Sequence, residues 1–443
     1  MADLLLSDEL PADLLPMKHR FTPKFFEARK KMVAFIQQDV LPNKEEWHRQ
    51  RAELEKTVDH PTKAPMPAMH YELQKKAKER GIFNFFLPEV CQLSCSEYAP
   101  LQEILGACPE ANQAMNCMAP DTGNMEVLEK YGNEAQKKQW LEPLLAGEIR
   151  SAFAMTEPGV ASSDATNIST TIQKVGNEYV INGHKCWISG SMRPECKVFV
   201  LLGRTSNEGP VHGRFSMILV PRDAPGVTIL RPMAVFGHEH DHAEILFKDV
   251  RVPVTNLLLA EGKGFEIAQG RLGPGRLHHC MRTIGQAETA LGAMLHRAST
   301  RKAFGKLLIE RDQIRERIGE FRMELTACRQ LCYLAAAVAD DQGWKAAAPF
   351  VSMIKVQAPR VALRIIDESM QVHGAHGLGQ DCKLSDEYAN VRHVRFADGP
   401  DAVHLQTVAK WEIKRTPSVL AKEISGVNPN IEKYGMFKNV AKL

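Results

Sequence analysis

"YVINGHKCWISG", Tyr179 to Gly190, is the stretch whose reading decides the fold. Two β-prone runs meet there at Asn182-Gly183, the strongest short-range signal for a β-hairpin. Helical patterns lie on both sides, so the strands around it form an island. "KVFVLLGR", "FSMILVPRDAPGVTIL" and "AEILFKDVRVP" follow, each bounded by Pro, Gly or charged residues. Short strands at this spacing predict a compact β-barrel or sandwich over residues 151–257. Within "KCWISG", period two puts Trp187 and Ser189 on one face, a stacking aromatic beside a hydroxyl.

Residues 1–150 read as a helical domain. "PAMHYELQKKAKERGIFNFF" sets Tyr71, Leu73 and Ala77 at helical spacing and stops at Gly81, a glycine suited to the position after a helix end. "NEAQKKQWLEPLLAGE" reads as another helix, ending between Pro143 and Gly147. The polar residues 42–66 predict a loop. Residues 258–443 return to long amphipathic runs with short joins, as in a helical bundle. "GRLGPGR" (270–276) is glycine-rich but lacks the strand–turn–helix context of a dinucleotide-binding loop.

Of 443 residues, 44% are hydrophobic and 25% charged, an ordinary globular balance for two or three domains. A net charge of +3 gives no reason to expect a nucleic-acid or membrane-surface partner. No apolar run approaches transmembrane length. The ten cysteines contain no Cys-x-x-Cys pair and read as reduced, buried small hydrophobes. "HEHDHAE" (238–244) and "LHHC" (277–280) are metal-like in composition but not in spacing, so no metal is expected. His238 and His242 read instead as lining a pocket mouth. The acidic N-terminus is a poor transit peptide, and the final "AKL" resembles the Ser-Lys-Leu peroxisomal address. A peroxisomal location is expected, with mitochondrial or cytoplasmic as alternatives.

"FAMTEPGVASSDAT" (153–166) offers backbone N–H groups and hydroxyls to a planar cofactor edge, or serves as a domain-junction turn. "RKAFGKLL" (301–308) sets cations at a helix end, for a phosphate or for solvent. "QVHGAHGLGQD" (371–381) has glycines that admit a ligand closely or simply join two helices. "RFADGPDAVH" (395–404) places Asp398 and Asp401 around a Gly-Pro break. Asp401 heads a run of helical spacing and reads as its N-cap.

Together these motifs, in this order, resemble the acyl-CoA dehydrogenase family over nearly the whole chain. "ASSDATNI", "GRLGPGR" and "ADGPDAVH" are most similar to the branch of family members 10 and 11. Those proteins can carry an extra N-terminal kinase-like domain, which this chain is expected to lack. The resemblance implies a mainly α fold with a central β-barrel domain and a C-terminal four-helix bundle, assembled as a homotetramer or dimer. It implies one FAD per subunit, with Phe153, Met155, Thr156, Trp187 and Ser189 around the flavin. Arg301, Phe304, Gln313, Gln371 and Gly374 would reach a neighbouring subunit's FAD. Ser162 or Ser163, Arg276 and Gly399 would contact the acyl-CoA substrate, and electron-transfer flavoprotein would accept the electrons.

The resemblance also implies the reaction, α,β-dehydrogenation to a trans-2-enoyl-CoA. A carboxylate would take the α-proton while the β-hydride moves to flavin N5, and burial would raise the base's pKa toward the working pH. Most relatives carry Glu where this chain has Asp398, one methylene shorter. Others carry the base on the helix just before the arginine matching Arg276, where this chain has Gly275. The implied base is therefore Asp398, with its backbone N–H as a donor to the thioester carbonyl. The alternatives are an oxygen-using acyl-CoA oxidase of the same fold and a non-catalytic acyl-CoA-binding protein.

Overall fold

A computed structural model describes residues 6–7, 10–236 and 238–415. The terminal Ala-Lys-Leu, most of the acidic N-terminal stretch and the His238 side chain lie outside the described residues. Among the described residues, the N-terminal part contains helices α1 (Pro23–Phe35), α2 (Lys44–Glu55), α3 (Ala68–Glu79), α4 (Cys95–Ala107) and α5 (Asp121–Tyr131). Helix α3 ends as its sequence predicts. Gly81 has φ +68°, and the amides of Gly81 and Ile82 donate to the carbonyls of Lys78 and Ala77. Leu73 and Ala77 are buried, whereas Tyr71 is exposed.

The loop expected over 42–66 is overturned by α2. Its sequence, "KEEWHRQRAELE", is polar almost all round, which hides the apolar period. Ion pairs one turn apart support it instead: Arg49 with Glu46 and Glu53, and Arg51 with Glu55. Trp47 alone is fully buried from this helix.

Strands β1 (Arg150–Ala154), β2 (Thr171–Val175), β3 (Glu178–Ser189), β4 (Cys196–Arg204), β5 (Phe215–Pro221), β6 (Val227–Val235) and β7 (His238–Pro253) form one sheet. Its order is β1-β4-β2-β3-β7-β6, with β5 added on β4, and it curls around its own apolar core. The hairpin expected at Asn182-Gly183 is not there, because β3 runs straight through it. The turn is Gly176-Asn177, which joins β2 to β3 with Val175 opposite Glu178. Gly183 serves close approach instead: a Cβ there would lie 2.2 Å from Thr170 Oγ1.

The C-terminal part holds α6 (Gly264–Thr300), α7 (Asp312–Gln342), α8 (Trp344–His373), α9 (Leu384–His393) and α10 (Asp401–Arg415). "GRLGPGR" lies inside α6, as a helical segment and not a loop. One apolar core runs through both helical regions. Helices α4 and α6 pack backbone to backbone, since a Cβ at Gly285 would lie 1.9 Å from Glu103 O, and one at Gly106 2.2 Å from Arg282 O. All ten cysteines are free, and most are buried. Among the described residues no helix is long and apolar enough to cross a membrane.

Candidate active site

Residues 394–400 form a turn between α9 and α10, and Asp398 sits on it with φ +55°, a strained conformation for a non-glycine residue. Two cations, buried Lys355 and half-buried Arg276, hold the turn. Lys355, on α8, donates through Nζ to Val394 O and, at 3.3 Å, to Gly399 O. Arg276 Nε donates to Asp398 O at 2.9 Å. The amides of Ala397 and Gly399 donate to His393 O and Phe396 O, whereas that of Asp398 donates to no other described group.

The carboxylate of Asp398 lies across α6 over Gly275, where a Cβ would come within 3.1 Å of Oδ2. Residues 271, 275 and 279 share one face of that helix, four apart. Arg271, one turn before Gly275, brings Nη1 to 4.0 Å from Asp398 Oδ1. His279, one turn after, brings Nε2 to 3.6 Å from Asp398 Oδ2. Glycine at 275 therefore makes the gap that the aspartate fills.

Arg271 is buried, with its guanidinium over the Phe153 ring at 4.0 Å and its Nε bonded to Asn124 Oδ1 at 3.2 Å. Near it is Glu126, whose Oε2 is shielded and has no protein partner. Burial pushes the Glu126 carboxyl up to about 8, against the pull of Arg271, while Glu89 and Asp398 add to the rise. Near neutral pH Glu126 is thus a neutral acid, which leaves Asp398 as the main counter-charge to Arg271, with a smaller share from Asp121.

The loop 155–170 is shaped by a buried ion pair, Lys185 Nζ to Glu157 Oε1 at 2.8 Å. Lys185 also donates to Met155 O at 2.8 Å and Leu202 O at 2.9 Å. Glu157 accepts from the amides and hydroxyls of Ser169 and Thr170. Burial opposes its ionisation, but Lys185 and these donors override that and hold it at about 2. Ser162 is spent on the same loop, accepting from Glu157 N at 2.9 Å, while Ser163 is exposed. Thr156 is exposed and Met155 half-buried.

Trp187 stands in a bulge of β3, with φ +59° and 48% of its surface exposed. From Cys186 onward the strand alternates, so Trp187 and Ser189 do face outward together. The Ser189 hydroxyl meets His242 Nδ1 at 2.8 Å. Arg301, Phe304, Gln313, Gln371 and Gly374 are all exposed on the bundle. Phe304 is 98% exposed and left-handed at φ +50°, a placement that packing within this chain does not account for. Gly399 spends its amide on Phe396 O inside the turn and its carbonyl on Lys355 of α8.

Asp401 is not the N-cap expected from its sequence. It is the first residue of α10, and its Oδ2 accepts from Arg395 (2.6 and 3.0 Å) and Arg360 (3.0 Å). Its role is to anchor α10 to the bundle by charge. The residues that sequence reading missed are Arg271, His279, Lys185, Glu157 and Lys355. The first two carried a signal: their spacing from Gly275 is legible once "GRLGPGRLHHC" is read as helix. The others gave none.

The comparisons agree along the chain. Acyl-CoA dehydrogenase family models match at 22–148 (N-terminal domain), 152–250 (middle domain) and 262–413 (C-terminal domain). The chain belongs to the acyl-CoA dehydrogenase family. It is 51% identical to "Probable acyl-CoA dehydrogenase FadE2" of Mycobacterium tuberculosis, over 81% of this chain and 89% of that one. It is 46% identical to human acyl-CoA dehydrogenase family member 11, over 95% of this chain but only 55% of that protein. Thus it spans about half the length of that relative. A solved acyl-CoA dehydrogenase candidate from Mycobacterium abscessus is 44% identical, with a TM-score of 0.83 over 88% of this chain and 98% of that one.

Proposed function

We propose that this protein dehydrogenates an acyl-CoA thioester at its α,β bond, with Asp398 as the base. The observation that carries the reading is the Asp398 carboxylate lying over Gly275, held beside buried Arg271, on a turn whose own amide is unspent. The family uses FAD, and the residues fit it. Exposed Trp187 and Phe304, both in left-handed backbone, are aromatic surfaces with room for a partner that this chain does not supply. Phe153, Met155, Thr156, Trp187 and Ser189 would hold the flavin. Arg301, Phe304, Gln313, Gln371 and Gly374 would hold the far end of a second subunit's FAD. Bound FAD supplies the acceptor for the β-hydride.

The chain's own groups do the rest. The free amide of Asp398 hydrogen-bonds the thioester carbonyl, which makes the adjacent C–H more acidic. The carboxylate takes the α-proton, and the electron pair of that C–H bond becomes the new double bond as the β-hydride departs. Arg271 remains as counter-charge to the carboxylate before transfer. Arg276 and Lys355 fix the turn, so that little reorganisation is needed at the moment of reaction. Substrate recognition by Ser163 and Arg276, and electron-transfer flavoprotein as acceptor, are part of the same reading.

The test is anaerobic titration of the purified holoenzyme with straight-chain acyl-CoAs of graded length. Bleaching of the flavin absorbance, with enoyl-CoA formed in equal amount, is the expected result. A flavin left oxidised by the whole panel would sink the proposal. Stoichiometric hydrogen peroxide on admitting air would identify an oxidase instead.

A further inference from the structure

Asp398 is one carbon shorter than the glutamate its position implies, and a shorter acid over a glycine has freedom to turn. Arg271 restrains one oxygen electrostatically. The other faces His279, which no part of the proposed reaction uses. His279 has a defined tautomer, because Arg282 Nη2, one turn further along α6, lies 3.0 Å from its Nδ1. A guanidinium only donates, so Nδ1 must accept, and the ring proton is left on Nε2. That nitrogen lies 3.6 Å from Asp398 Oδ2. The backbone of Arg282 is held in place by the close crossing with Gly106 of α4.

We propose that His279 is a positioning residue for Asp398: a neutral imidazole, locked by Arg282, that points Nε2–H at one carboxylate oxygen and leaves the other for the α-proton. The separation is longer than a formed hydrogen bond, so the contact orients the carboxylate electrostatically. The groups facing His279 keep it neutral. Burial pulls its pKa well below the ordinary imidazole value. Arg282, His393 on α9, Lys355 on α8 and His278 add to that, although the Asp398 carboxylate lies 3.6 Å away. A charged imidazole would pair with the base and weaken it, so neutrality is part of the function. This inference rests on the proposed role of Asp398.

His279→Gln keeps an N–H donor near the position of Nε2, whereas His279→Leu keeps bulk and removes the donor. Both are compared with wild type as holoenzymes of matched FAD content, by stopped-flow flavin reduction with whichever acyl-CoA of the panel reduces wild type. The Leu variant is expected to lose about ten-fold in the reduction rate constant at little change in acyl-CoA affinity, and the Gln variant less than about three-fold. Arg282→Met frees Nδ1 to carry the ring proton in place of Nε2, while burial still keeps the ring neutral, so its reduction rate constant is expected to fall toward that of the Leu variant. Equal losses in the Gln and Leu variants, or none in either, would overturn the proposal. Failure of wild type to bleach with any acyl-CoA would be a different outcome, because it removes the reaction and not the histidine's part in it.

Discussion

Replacing Lys185 by Met should damage the protein more than any single surface change, and the size of the effect follows from its contacts. Lys185 Nζ donates to Met155 O, Glu157 Oε1 and Leu202 O at 2.8–2.9 Å, with its side chain wholly shielded. Methionine fills similar volume but leaves Glu157 as a buried carboxylate without its cation. Removing one partner of such a pair costs about 3–5 kcal/mol. Glu157 keeps four donors from Ser169 and Thr170, which places the loss at the lower end, about 3 kcal/mol. Spread over a chain of 443 residues, that is a fall of roughly 3 °C in the unfolding midpoint, measured at one scan rate because large chains often unfold irreversibly. The loop carrying Met155 and Thr156 loosens with it, so the retained FAD per chain should drop. Adding Glu157→Gln should restore part of the stability, since the buried charge is gone. The pH dependence has a definite sign. Glu157 titrates at about 2 in the fold, below its unfolded value, so its contribution is present above about pH 4.5 and lost as pH falls toward 2. A midpoint unchanged in Lys185→Met, with no recovery in the double variant, would refute the reasoning.

Two other substitutions test the cleft. Gly275→Ala places a Cβ 3.1 Å from Asp398 Oδ2, so the carboxylate must move by a few tenths of an ångström. Flavin reduction should slow by about ten-fold. The midpoint should hold or rise, because alanine favours a helix over glycine by about 0.5–1 kcal/mol. Glu126→Gln removes an acid whose folded pKa is raised to about 8. The wild-type chain retains a proton that the unfolded chain releases above about pH 4.5, so its relative stability declines from there to pH 8. The Gln variant should therefore gain over wild type more at pH 8 than at pH 5 in parallel denaturant titrations.

The sequence showed the β island between helical regions because its strands are rich in Val, Ile and Phe and bounded by turn residues. It misled where one residue serves two purposes. Asn182-Gly183 reads as a turn, yet its glycine lets Thr170 approach a continuous strand. Residues 44–55 read as a loop because ion pairs, and not an apolar stripe, support that helix. The Asp398 turn was legible through the family resemblance, and Asp401 was recognised as structural but by the wrong bond. Arg271 and His279 lie at helical spacing from Gly275, which the resemblance already put on a helix, but nothing in the sequence showed that this face meets Asp398. The Lys185–Glu157 pair joins residues 28 apart across the sheet, and nothing local announces such a contact.

Asp398→Asn tests the central claim most directly. It keeps the side chain's size and removes its basicity, while Arg276 and Lys355 still hold the turn through backbone carbonyls. The variant should purify with its FAD and bind acyl-CoA, yet its flavin should stay oxidised through an anaerobic titration that bleaches wild type. Bleaching of Asp398→Asn at the wild-type rate would place the base elsewhere and contradict the account.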